Sequence, residues 1–173
     1  DMQAAKQRIK DLLAERDAVL YSIVNNAAIV DPGDFVFYND LSSPRRLMEV
    51  NYLGQLAVTQ ALLPLMLTTS KVAGGKIFNM SSVCGTSVSA GNSAYCATKF
   101  AIEAWSDALR LELEPFNVEV VTIRPGQCNT SIQHKFNDRW MKNFRSSSEQ
   151  VQNLYGRSAY EKKFKEVIDA TVG

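Results

Sequence analysis

Apolar residues recur at helical spacing at the start of the chain. Ile9, Leu12 and Leu13 stand among Lys and Arg, which predicts a helix over residues 2–16. Ala18 to Val24 (Ala-Val-Leu-Tyr-Ser-Ile-Val) has the length and composition of a buried strand, and Asn25-Asn26 ends it. Asp31-Pro32-Gly33-Asp34 is a turn in a longer loop. Ser42-Ser43-Pro44 opens a long helix, with Ser43 as N-cap and Pro44 at the first helical position. That helix carries Leu47, Val50, Leu53, Ala57 and Ala61 toward a core and runs to about Leu67, with a kink or break predicted at Pro64.

Gly74-Gly75 is a turn and residues 76–80 a second strand; the small, polar stretch from Ser81 to Ser93 is a loop. Residues 94–114 form an amphipathic helix with Ala101, Trp105, Ala108 and Leu109 on one face, closed by Pro115. Residues 117–123 are a third strand, broken by Arg124-Pro125-Gly126. The polar tail from Ser131 reads as helical in two or three pieces, around Trp140, Val151 and Phe164. Apolar strands alternating with long helices predict a parallel sheet covered on both faces, a doubly wound α/β fold in one domain over 1–173, with 131–173 a helical region inside it. In such sheets ligands sit beyond the carboxyl ends of the strands, here Asn25-Asn26, Ser81-Ser82 and Pro125-Gly126.

Composition narrows the function classes. Hydrophobic residues are 46% and charged residues 21% of 173, ordinary for a globular protein. A net charge of +1 argues against a nucleic-acid binder that works by bulk charge. The longest apolar run, Ala61 to Leu67, contains a proline and is far shorter than the ~20 residues of a membrane span. Cys84, Cys96 and Cys128 form no Cys-x-x-Cys pair, and His134 is the single histidine, so neither a disulfide framework nor a zinc site is expected and reduced thiols are. The first glycine is Gly33, so the opening thirty residues hold no glycine-rich loop.

Tyr95 and Lys99 lie four apart at the start of the long helix and so share a face. Alone the pair means little, since chance gives roughly 0.3 such pairs in a chain of this composition. Its neighbours change that. Ser82 ends a strand thirteen residues earlier, Asn51 sits in Val-Asn-Tyr-Leu-Gly, Asn25-Asn26-Ala27-Ala28 ends the strand before, and Pro125-Gly126 with Thr130 follows the next one.

In these motifs the chain resembles the short-chain dehydrogenase/reductase family. Asn25-Asn26-Ala27-Ala28 resembles the family's Asn-Asn-Ala-Gly; Asn51, Ser82, Tyr95 and Lys99 match its catalytic set; residues 125–130 match its Pro-Gly-x-x-x-Thr. Tyr95-Cys96-Ala97-Thr98-Lys99-Phe100, Glu103 to Asp107 and Leu109-Arg110 are similar to the retinol, 17-beta-hydroxysteroid and 3-hydroxybutyrate dehydrogenase branch, as are Trp140, Tyr155-Gly156 and Tyr160.

The resemblance implies an oxidoreductase that moves a hydride between NAD or NADP and a small-molecule alcohol or ketone, hydrophobic and retinoid- or steroid-like. Tyr95 is then the general base or acid. An ordinary tyrosine pKa near 10 is too high for this, so Lys99 is expected to lower it and also to bind ribose hydroxyls. Ser82 stabilises charge on the substrate oxygen. Asn51 holds a water through its side-chain amide, linking Lys99 to solvent. Asn25, Ala27, Pro125, Gly126 and Thr130 join Tyr95 and Lys99 on the cofactor side, although Asn25 and Asn26 could equally tie neighbouring strands together. Phe136, Trp140 and Phe144 either line an apolar pocket or pack the tail onto the body. His134 reads as solvated, and Lys135, Arg139, Lys142 and Arg145 as one solvated helix face.

Ala28 replaces a glycine, and the family's opening strand and Gly-x-x-x-Gly-x-Gly phosphate loop are not in this sequence. The expectation is therefore a partial domain, short at the N-terminus and at the C-terminus, inactive or unstable alone. Its parent would form a homo-oligomer and sit at the endoplasmic reticulum membrane or in mitochondria, any membrane association coming from segments outside this chain. Three other readings compete: a non-catalytic relative binding through the same scaffold, a sugar-nucleotide epimerase with the same Tyr-x-x-x-Lys, and, more distantly, a Ser/Lys hydrolase, for which no Gly-x-Ser-x-Gly is present.

Overall fold

The computed structural model describes residues 2–31, 41–69, 74–126, 136–155 and 162. Helix α1 (Met2–Glu15) packs on helix α3 (Gly54–Thr69) and buries none of its residues fully. It ends where Asp17 turns left-handed (φ 46°) and the Ala18 N–H donates to the Leu13 carbonyl at 2.9 Å.

Strands β1 (Ser22–Asn25), β2 (Lys76–Met80) and β3 (Glu119–Ile123) form a parallel sheet in that order. β1 is shorter than the apolar run suggested, because Val19 and Tyr21 precede it and are half exposed. The register lines up Ile23, Ile77 and Val120, then Asn25, Asn79 and Thr122, across the three strands. Both crossovers run the same way across the sheet, and right-handed connections then place α3 and helix α4 (Ser93–Leu113) on one face. The core lies there: Ile23, Ile77 and Val120 meet Met66 of α3 and Leu109 and Leu113 of α4. On the opposite face Val24 and Ile123 are exposed, so among the described residues the helices cover one face where two were expected.

The long second helix departs from expectation at its start and middle. Helix α2 (Ser42–Met48) begins at Ser42 after Leu41, with no side-chain cap. Ser43 Oγ instead donates to the Asp31 carboxylate at 2.8 Å, tying the helix start back to the loop after β1. The irregularity is a π-helical turn at Glu49–Leu53, and α3 runs unbroken through Pro64. The helical run Ser42–Thr68 is long and apolar enough to cross a membrane. It is nevertheless built as a core element: Leu47 and Met66 are buried, and so are the polar Asn51, Gln55 and Thr59 at four-residue spacing.

The Gly74-Gly75 turn is as expected and sterically required. A Cβ on Gly74 (φ +35°) would meet the Asn117 carbonyl at 2.2 Å, and one on Gly75 would meet Met66 Sδ at 2.4 Å. In the tail, helices α5 (Phe136–Ser146) and α6 (Glu149–Tyr155) match the pieces expected around Trp140 and Val151. The piece around Phe164 lies outside the described residues, as do Cys128, Thr130, His134 and Lys135.

Candidate active site

Ser82 leaves β2 in extended backbone (φ −168°, ψ 165°) and caps the 3-10 turn Val83–Gly85, its Oγ accepting the Cys84 N–H at 3.2 Å. Gly85 is needed in that turn: a Cβ there would lie 2.4 Å from Ser81 Oγ and 3.0 Å from Glu103 Cγ. The turn packs on α4, and the Ser82 hydroxyl lies close enough to the Tyr95 phenol to favour its ionised form. Lys99, one turn further along α4, is 2% exposed, with its Nζ 5.6 Å from the Tyr95 ring centroid. Ser82, Tyr95 and Lys99 are thus brought together at the carboxyl end of β2, as the spacing predicted.

The electrostatics differ from the expectation. Lys99 Nζ donates to the Met80 carbonyl at 2.9 Å, and burial pulls its pKa down to about 8. Burial pushes the Tyr95 phenol above its ordinary range, partly offset by the hydrogen bond from Ser82; the nearby Cys84 and Cys96 thiols also raise it. Lys99 is not among the groups that set the Tyr95 value. With the protein's own groups alone, desolvation wins over the cation one turn away.

Asn51 is fully buried in the π turn. Its Oδ1 accepts the Ile29 N–H at 2.7 Å, and its Nδ2 donates to the Ile29 carbonyl at 2.9 Å and to Thr98 Oγ1 at 3.1 Å. Both amide donors are thereby used, so the expected water-holding role has no free N–H to serve it. Asn51 instead clamps the loop after β1 against α4. Thr98 continues the chain, donating to the Tyr95 carbonyl at 2.7 Å.

Asn25 likewise has partners within the protein. Its Nδ2 donates to Thr59 Oγ1 and to Asn79 Oδ1, both at 2.8 Å, and Asn79 Nδ2 donates to Ser106 Oγ at 2.9 Å. Through its Nδ2 this side chain ties β1 to β2 and both to the covering helices. Ala27 beyond it is exposed. At the third strand end the Val83 N–H donates to the Pro125 carbonyl at 3.0 Å, holding Pro125 beside the Ser82 turn. Gly126 is exposed, with no atom within 4 Å of where its Cβ would stand.

Sequence reading missed the buried polar set of Thr59, Asn79, Thr98 and Ser106, and also the Glu103–Arg124 pair. Arg124 Nε and Nη2 donate to both Glu103 oxygens at 2.9 and 2.7 Å, joining the end of β3 to α4. A usable signal for the first was the Asn51, Gln55, Thr59 stripe at four-residue spacing in an otherwise apolar helix.

A serine just past a strand end, a tyrosine near it and a buried lysine one turn on, placed over a parallel sheet, is the arrangement of a dehydrogenase. The model of the short chain dehydrogenase family matches residues 1–140, and the chain belongs to that family. It is 34% identical over 172 residues to the mitochondrial D-beta-hydroxybutyrate dehydrogenase of Bos taurus, covering 94% of this chain and 47% of that protein. It is 38% identical over 160 residues to retinol dehydrogenase 16 of Homo sapiens, covering 88% and 47%. Among solved structures, a 3-oxoacyl-[acyl-carrier protein] reductase from Brucella melitensis in complex with NAD is matched with a TM-score of 0.70 at 26% identity, over 83% of this chain and 56% of that one. A short-chain dehydrogenase from Streptomyces avermitilis is matched with a TM-score of 0.64 at 32% identity, over 76% and 47%. The chain spans about half the length of these relatives.

Proposed function

We propose that the protein containing this chain is an NAD- or NADP-dependent oxidoreductase acting on a hydrophobic alcohol or ketone, with Ser82, Tyr95 and Lys99 at the reacting end. The observation that carries the reading is the grouping of Ser82, Tyr95 and the buried Lys99 at the carboxyl end of β2. A substrate oxygen placed between the two hydroxyls would touch both. Ser82 would hold that oxygen as charge develops on it. Tyr95 would take its proton on oxidation or return one on reduction. The bound nicotinamide supplies hydride exchange at the substrate carbon.

The residues present fit such a cofactor. Lys99 brings its Nζ to 5.6 Å from the Tyr95 ring centroid, suited to ribose hydroxyls, and its lowered pKa lets it trade a proton near neutral pH. Ala27 offers backbone at the exposed end of β1, and the open space over Gly126 leaves room beside Pro125. Thr130 belongs to the same proposed set by motif. Asn51 acts by positioning: through Thr98 it fixes the turn of α4 that carries Tyr95.

An apolar substrate is favoured by Val83 and Val88, 47% and 76% exposed just past Ser82. The tail would complete the substrate side, since Asn143 Nδ2 of α5 reaches Asp31 Oδ1 at 3.4 Å and so brings this helix to the loop after β1. The resemblance to the retinol and hydroxybutyrate enzymes extends this reading to a location at the endoplasmic reticulum or in mitochondria, and to a homo-oligomer.

The test is direct. The purified complete protein, given NAD or NADP and a panel of retinoid, steroid and short hydroxy-acid alcohols, is expected to produce reduced nicotinamide with at least one apolar alcohol. No turnover with either cofactor in either direction would refute the reading.

A further inference from the structure

A carboxylate that the proposed chemistry does not use stands between the two loops that frame it. Glu103 lies one turn beyond Lys99 on α4, with 12% of its side chain exposed. On one side it abuts the turn after Ser82: a Cβ on Gly85 would stand 3.0 Å from both Glu103 Cγ and Glu103 Oε1. On the other side its two oxygens accept from Arg124 Nε and Nη2 at 2.9 and 2.7 Å. Arg124 immediately precedes Pro125-Gly126.

Backbone bonds complete the frame. The Ser81 N–H donates to the Ile123 carbonyl at 2.8 Å, and the Val83 N–H to the Pro125 carbonyl at 3.0 Å. The end of β3 is thus held from the Ser82 side at Ile123 and Pro125. Between them it is held from α4, through the Arg124 side chain. Past Pro125 the chain enters open space, with nothing within 4 Å of where a Gly126 Cβ would stand. The direction in which it leaves is therefore set by these last anchored residues. A fork of two parallel bonds fixes a direction as well as a distance, which a single bond from a lysine would not. With Arg124 half exposed, the pair adds little to stability, so its main effect is geometric.

We propose that the Glu103–Arg124 pair is a positioning brace that sets Pro125-Gly126 against the Ser82 turn, so that nicotinamide affinity depends on two residues that do not themselves touch the cofactor. This rests on the oxidoreductase reading, in which Pro125 and Gly126 lie on the cofactor side. The brace acts on one border of the site, while Ser82, Tyr95 and Lys99 keep their own anchors in β2 and α4.

The test uses the complete protein with Arg124→Met, Glu103→Met and both together. Methionine keeps the Cγ that faces Gly85 and removes the carboxylate. Affinities for NAD and NADP are measured by calorimetric titration, and kcat separately at saturating cofactor. Each single substitution should weaken binding of the nicotinamide that the parent prefers about tenfold, with kcat kept within about threefold. Because the two residues act as one unit, the double substitution should weaken binding no more than about twofold beyond the larger single effect. The urea unfolding midpoint should stay within about 0.5 M of the parent.

Parent-like affinity in Glu103→Met overturns the proposal, and beside a weakened Arg124→Met it would mean that Arg124 meets the cofactor directly. Single effects that multiply in the double variant overturn it too, as does a loss of kcat or of unfolding midpoint without a loss of affinity. A complete protein that binds a nicotinamide yet turns over no alcohol or ketone defeats the oxidoreductase reading, while the affinities still decide the brace. One that binds neither nicotinamide overturns both.

Discussion

Lys99 donates to the carbonyl of Met80 at 2.9 Å, from a position 2% exposed to solvent. One buried ammonium is thereby fixed to the last residue of β2, between the sheet and the Tyr95 ring. The arrangement is costly: a pKa brought from 10.5 to about 8 corresponds to roughly 3 kcal/mol favouring the neutral form. The sign follows from comparing folded and unfolded chains. Below about pH 8 both carry the charge, and the folded state bears the full penalty. Between about 8 and 10.5 the folded lysine is neutral while the unfolded one is still charged, so the penalty shrinks as pH rises. Above 10.5 it is gone.

Lys99→Met should therefore abolish turnover and stabilise the protein. The orphaned Met80 carbonyl offsets part of the gain, leaving about 1–2 kcal/mol at neutral pH, shrinking toward zero or reversing as pH approaches 10.5. Urea unfolding of both proteins at pH 7 and pH 10 checks this. A variant less stable than the parent at pH 7 would show that the ammonium is compensated by more than the Met80 carbonyl.

Asn25→Leu should damage stability more than cofactor use. It leaves Thr59 Oγ1 and Asn79 Oδ1 without their 2.8 Å partner inside the core, at a cost of about 2–4 kcal/mol. In the complete protein the KM for nicotinamide should change by less than about threefold. A large KM rise with unchanged unfolding midpoint would return Asn25 to the cofactor-binding role that its motif first suggested.

Gly85→Val should act through Ser82. The added side chain collides with Ser81 and with Glu103, which Arg124 holds in place, and must lift the turn off α4. A loss of about tenfold or more in kcat, with little change in cofactor KM, is expected when Ser82 is moved away from Tyr95. Equal loss in both parameters would point to general disruption.

The site was legible where its order is local. The thirteen-residue step from Ser82 to Tyr95 and the four-residue step to Lys99 each lie within one strand–turn–helix unit, so spacing alone could bring the three together. Asn51 was placed correctly in its helix, but its partners Ile29 and Thr98 are 22 and 47 positions away and nothing local announces them. Asn79 and Ser106 read as ordinary polar residues of a strand and a helix; only the packing of α4 on the sheet makes them a bonded pair. Ser43 had the chemistry of an N-cap, but the Asp31 carboxylate competed for its hydroxyl. The π turn at Glu49–Leu53 carries no local breaker, whereas Pro64 does and left α3 unbroken.

The account turns on Tyr95, and Tyr95→Phe in the complete protein tests it most directly. The phenyl ring keeps the packing of the first turn of α4 and removes only the phenolic hydroxyl. Alcohol oxidation should fall to nearly nothing, with nicotinamide binding, followed by quenching of protein fluorescence, kept within about threefold of the parent. Turnover equal to that of the parent would contradict the assignment of Tyr95 as the proton-transferring group.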